Sequence, residues 1–97
     1  MNYSFHDKAL GDVAAAQDFY FQNAGAQVAT RFNSELARVI ALLLEHPGFG
    51  TPMTQQRRIY PLKSFPFSVV YRLDGEELRI LIVRHQRQKP NFATDRH

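Results

Sequence analysis

A chain of 97 residues supplies apolar surface for one core and not two, since a domain of this size buries only about two thirds of what its unfolded form exposes. The absence of cysteine excludes disulfides, thiolate nucleophiles and cysteine-type zinc sites, and fits a reducing compartment. No run of eighteen apolar residues occurs and the start "MNYSFHDKAL" lacks a signal-peptide pattern, so the expected location is cytoplasmic, with no membrane partner.

The net charge of +3 hides a division: residues 1–56 carry three cations against five acids, and residues 57–97 carry nine against four. The basic character belongs to the second half, where it creates a field suited to an anionic partner.

In chain order, "NYSF" is short and β-prone, a candidate first strand. Asp7 is placed to cap a helix on which Ala9, Val13, Ala16 and Tyr20 recur at helical spacing. Phe19, Tyr20 and, further on, Phe32 read as core residues. Gly25 breaks the pattern, and a second helix follows with the stripe Val28, Phe32, Leu36, Val39, Ile40 and Leu43; Glu35, Arg38 and Glu45 lie mostly off it. "HPGFGTP" stops this helix, because the residue before a proline resists the α region and glycines favour turns. The expected helical hairpin spans about 7–46.

Sheet hairpins are expected over about 57–87, followed by a tail, 88–97. "RRIYPLK" contains Pro61 and belongs at an edge or bulge, where one missing donor is tolerated. "FSVVYRL" and "ELRILIV" flank Asp74-Gly75, a dipeptide favoured in two-residue type I′ turns. Counting outward from that loop sets Leu73 opposite Glu76, Tyr71 opposite Leu78, Val69 opposite Ile80 and Phe67 opposite Ile82, the last three pairs facing the helices. The outer face then holds Arg72 opposite Glu77, Val70 opposite Arg79 and Ser68 opposite Leu81, and continues through Val83 to His85 and Arg87, while Arg84 turns to the helices. Val70, Leu81 and Val83 form an apolar strip there that calls for a cover, either the chain's own tail or another molecule.

Taken together, "DFY", "ATRFNSEL", the proline-glycine stop and "RRIYPLKSFPFSVVYRLDGEELRILIVRHQRQKP" resemble the RelE/ParE superfamily of bacterial type II toxins, and most closely its ParE-like, plasmid-stabilisation members. The positions that carry the likeness are Arg58, Phe65-Pro66-Phe67, Tyr71, and His85 with Arg87. The resemblance implies an α+β domain of β-α-α-β-β-β order, its helical hairpin packed on a small antiparallel sheet, and a cognate antitoxin that wraps it. It implies two alternative activities, inhibition of DNA gyrase by ParE-like members or ribosome-dependent cleavage of messenger RNA by RelE-like ones. Fold does not choose between them.

Cleavage through the substrate's 2′-hydroxyl needs a base, an acid, and cations for the charged phosphorane. His85 is the candidate proton carrier, with Arg79, Arg87 and Arg58 as catalytic cations and Lys63 in reserve. For a target-binding role the candidates are Arg58, Arg79, His85, Arg87 and Lys89. Against this stand structural readings: His85 as a bonded strand-end histidine, Arg84 paired with a helix acid, Arg72 occupied by Glu77. His6, His46 and His97 lack ligand spacing, so neither metal nor cofactor is expected, nor a small-molecule substrate. Family members commonly follow the last strand with tyrosine and tryptophan, where this chain has Phe92 and Ala93. With no tail hydroxyl to move a proton, the preferred reading is a non-catalytic inhibitor of DNA gyrase. The alternatives are a messenger RNA endonuclease acting on the ribosome, and a non-toxic homologue that only binds antitoxin.

Overall fold

The computed structural model describes residues 1–87 and 96. Strand β1 (Asn2–Phe5) leads into helices α1 (Asp7–Ala24) and α2 (Ala26–Glu45); a 3-10 turn (Pro47–Phe49) follows, then β2 (Thr51–Pro52), β3 (Arg57–Pro61), β4 (Phe67–Asp74) and β5 (Glu77–His85). The α+β order is the expected one with a two-residue strand added.

Helix α1 is capped by His6, whose Nδ1 accepts from Lys8 N, and not by Asp7, which is the first helical residue. Gly25, at φ 91°, takes the left-handed conformation that lets α2 start one residue after α1 ends. Helix α2 buries Phe32, Leu36, Val39, Ile40 and Leu43 on the expected stripe. Glu35, beside that stripe, accepts from the backbone N–H of Lys63 (2.5 Å) and Ser64 (3.4 Å), which ties the β3–β4 loop to the helix.

The sheet runs β1-β5-β4-β3-β2. It is mixed and not purely antiparallel, because β1 pairs parallel with β5 from Asn2 opposite Glu77 to Phe5 opposite Ile80. The crossover through both helices makes that arrangement possible, since parallel neighbours need a long connection. Pro61 sits opposite Ser68, beyond the reach of β2, so its missing donor faces no strand.

The β4–β5 register differs from the count made on Asp74-Gly75. Asp74 pairs with Glu77, leaving Gly75 (φ 62°) and Glu76 as the loop; Leu73 is opposite Leu78, Arg72 opposite Arg79 and Tyr71 opposite Ile80. An irregularity then intervenes, and Val70 pairs with Ile82, Val69 with Val83, Ser68 with Arg84 and Phe67 with His85. Leu81 is the extra residue, a bulge that reverses which side each later residue of β5 faces. Val83 therefore joins Val69, Tyr71, Leu78 and Ile80 in the core beneath the helices, while Ile82 joins Leu81 and Val70 in a second cluster on the outer face.

Candidate functional site

The bulge decides where the expected site residues lie. Arg79, before it, is on the outer face, where its Nη1 donates to Ser4 Oγ at 3.1 Å. That hydroxyl in turn donates to Glu77 Oε2 at 2.8 Å. His85, after the bulge, turns toward the helices, and Arg84 takes the outer side, the reverse of the expected alternation. Arg72 chelates Asp74 (2.7 and 2.9 Å) in place of Glu77, because the shifted register sets it across from Arg79. The neighbouring guanidinium holds the Asp74 carboxyl below its ordinary range.

Arg58 pairs across from Tyr71 on the helix side of β3. Its Nη1 donates to the carbonyls of Gly50 (2.8 Å) and Gly48 (3.3 Å). The Tyr71 hydroxyl donates to Pro47 O (2.6 Å) and accepts from Gly50 N (3.0 Å). Burial pushes this phenol above its usual titration range. Two of the residues that carry the family likeness thus converge on the turn after α2 and organise its backbone.

His85 stands edge-on to Phe67, their ring centroids 5.2 Å apart, and its Nδ1 accepts from Arg87 N at 3.1 Å. In the neutral ring that bond leaves the proton on Nε2. The imidazole lines a cavity of about 360 Å³ together with Asp12, Ala15, Ala16, Phe19, Phe67 and Val83. Arg87 is exposed in the turn that follows β5. Lys89, Phe92 and Ala93 lie outside the described residues. Arg58, Arg79 and His85 are therefore brought to the carbonyl turn after α2, the outer face beside β1, and the α1 side of the strand end, respectively, and not to one point.

Phe19 is 58% exposed and not a core residue; Phe21 (57%) and Leu10 (53%) are also open to solvent on α1. The signal was available in the triplet "FYF". Three successive helical residues spread over about 200° of arc, so one buried face cannot take all of them. Tyr20 is the one that packs, against Phe32 and Phe65. A second apolar groove, about 380 Å³, runs between the helices and β1 and is lined in part by Tyr3, Phe5, Leu36, Ile40 and Leu44.

Among the described residues no group of three or more histidine, aspartate or glutamate side chains is placed to hold a metal ion. No helix among them is long and apolar enough to cross a membrane.

Comparison with known proteins assigns this architecture. Residues 3–90 match the family model for the ParE toxin of the type II toxin-antitoxin system parDE. The chain is 28% identical over 86 residues to Toxin ParE2 of Mycobacterium tuberculosis, in strains CDC 1551 / Oshkosh and ATCC 25618 / H37Rv alike, covering 89% of this chain and 82% of the relative. It superimposes with a TM-score of 0.77 on a chain from the chromosomal ParDE TA system of P. aeruginosa, at 26% identity, covering 88% of this chain and 95% of that one. With nearly its whole length matched and the strand–helical hairpin–sheet order in common, the chain belongs to the ParE toxin family of type II toxin-antitoxin systems.

Proposed function

We propose that this ParE-family toxin stops growth by binding DNA gyrase in the cytoplasm and is neutralised by a cognate antitoxin encoded beside it. The observation that carries the binding reading is the separation of Arg58, Arg79 and His85. General acid-base cleavage of RNA requires the proton carrier and the phosphate-binding cations within hydrogen-bond reach of one reacting group. Here Arg58 directs Nη1 to the carbonyls of Gly48 and Gly50, and Arg79 and His85 face opposite sides of the sheet. Contacts to a target then fall to the exposed strand end, with Arg87 and, beyond it, Lys89 as the cations and His85 at its margin.

The antitoxin reading is supported by the open apolar surface of α1 and by the P. aeruginosa relative, whose system pairs ParD with ParE. Such surfaces suit a disordered partner segment that folds on contact. Leu10 and Phe21, about 20° apart around the helix, are its natural anchors, while Phe19 lies on the opposite side beside the His85 cavity.

The test is to induce the chain without antitoxin and record which synthesis stops first. Arrest of DNA synthesis with induction of the DNA-damage response is expected. Early arrest of translation with cut messenger RNA would instead establish the nuclease, and undisturbed growth the non-toxic homologue. His85→Ala should weaken toxicity modestly; a loss of about a hundredfold or more with folding intact is what proton transfer would require.

A further inference from the structure

The parallel pairing of β1 ends at Phe5, opposite Ile80, with one further bond from His6 N to Ile80 O (2.8 Å). Beyond that point, among the described residues, no strand lies along the same side of β5, and residues Leu81–His85 would present bare backbone groups. Bare edges of this kind invite pairing with other chains. Two side chains fill the place instead. Asp12, from α1, accepts from Val83 N through Oδ2 at 3.1 Å. Arg96 donates from Nη1 to Leu81 O at 3.1 Å. The two are joined by a bidentate pair, Nη1 to Oδ2 at 2.5 Å and Nη2 to Oδ1 at 3.3 Å.

At its other end, the Arg96 carbonyl accepts from Nη2 of Arg57, on the outer face of β3. Arg96 thus spans from β3 to the far edge of β5, across β4. Beneath that span lie Val70, Leu81 and Ile82, on the side away from the helices yet almost wholly buried, with Met53 and Ile59 packed beside them. Arg96 and Arg57 are themselves only 7% and 5% exposed. An arginine this deeply buried is stabilised only when its charge is met, and each contact just described meets part of it.

We infer that Arg96 is a strap: paired with Asp12 and bonded to Leu81 O, it stands in for the missing strand partner and, through its carbonyl on Arg57, ties the far edge of β5 to β3. Its opening bares both the edge at Leu81–Val83 and the strip Val70, Leu81 and Ile82. This device works in cis and does not depend on the toxin's target.

Hydrogen exchange on the full chain tests it. In Arg96→Gln the amides of Leu81–His85, Val83 above all, should exchange faster by about tenfold or more, as expected for the loss of a charge-assisted hydrogen bond. Amides within α2 should keep their protection, and binding of an apolar dye should rise as the strip is bared. Arg96→Lys, which keeps the charge without the bidentate fork, should fall between. Asp12→Asn should reproduce the effect, and the double variant Arg96→Gln/Asp12→Asn should exchange no faster than the stronger single one. Unchanged exchange at Leu81–His85, equal acceleration in α2, or additive effects in the double variant would each overturn the strap.

Discussion

Tyr71 combines two roles that are usually separate, filling the core with its ring and satisfying two backbone groups with its hydroxyl. Removing that oxygen in Tyr71→Phe leaves Pro47 O and Gly50 N without their partner in a buried place. The expected cost is about 1–3 kcal/mol, and at this chain length the melting temperature should fall by about 5 °C or more. Gly50 belongs to the same unit: a Cβ there would come within 2.6 Å of the Tyr71 hydroxyl and 3.0 Å of Arg58 Cβ. That closeness explains why glycine stands there although its backbone is ordinary extended chain at φ −68°. The family likeness at Arg58 and Tyr71 was visible as a pattern of residue types. That both serve the turn at 47–50 was not, because the two are brought together only by the β3–β4 register.

At the scale of elements, Glu35 and the β2–β3 turn make opposite predictions. The Glu35 carboxyl is held below its ordinary value of 4.5, chiefly by its hydrogen bonds from Arg38 and further by the N–H groups of Lys63 and Ser64, against the opposing effect of burial. A carboxylate whose titration is lowered by folding contributes stability that is complete above its unfolded pKa and disappears as the pH falls through the folded one. Glu35→Gln should therefore melt below the parent at pH 7, with the difference shrinking as the pH drops below about 4.5. Thermal melts at pH 7 and pH 3 would check it. In the turn, Gln55 and Gln56 both adopt positive φ (61° and 58°) between Thr54 O and Arg57 N, which are 3.3 Å apart. Both central positions of a type I′ turn prefer Asn and Gly. Replacing the pair by Asn-Gly should stabilise the protein by about 0.5–1 kcal/mol, read as a rise in melting temperature.

The β4–β5 hairpin shows what alternation along a strand can and cannot carry. Choosing Asp74-Gly75 as the loop placed each partner on β5 two residues short up to the bulge and three beyond it, yet Val69, Tyr71, Leu78 and Ile80 still faced the helices. The register slipped by an even number of residues in the pair sum, which preserves the side that each residue faces. The bulge at Leu81 is different in kind. A single inserted residue reverses every later side chain, so Ile82 and Arg84 moved outward and Val83 and His85 inward. Nothing in "RILIVRH" marks that point, since apolar residues on both sides of it suit either face. The helices were legible from their stripe and their glycine and proline stops. The parallel docking of β1 was not, because it depends on a partner more than seventy positions away.

For the whole molecule, the two faces of the sheet have separate tasks. The inner face holds the helical hairpin through the Phe32, Phe65 and Tyr20 cluster. The outer face carries a small buried apolar strip of Val70, Leu81 and Ile82, while Arg87 at the strand end and Leu10, Phe19 and Phe21 of α1 are open to solvent. The charge division of the chain follows this plan, with the excess cations on the strands and the excess acids on the helices. In the proposed mechanism the target meets the cationic end and the antitoxin the apolar flank. Arg87→Gln with Lys89→Gln should accordingly lower growth inhibition; for Arg87, which is exposed, the shift in thermal unfolding should be small, because an exposed charge contributes within about 0.5 kcal/mol. The most direct measurement is a supercoiling assay with purified gyrase and the purified chain. Loss of supercoiling that depends on the concentration of the chain and is relieved by the antitoxin is the predicted result. Undiminished supercoiling, together with cleavage of messenger RNA when the same preparation is added to translating ribosomes, would contradict the account.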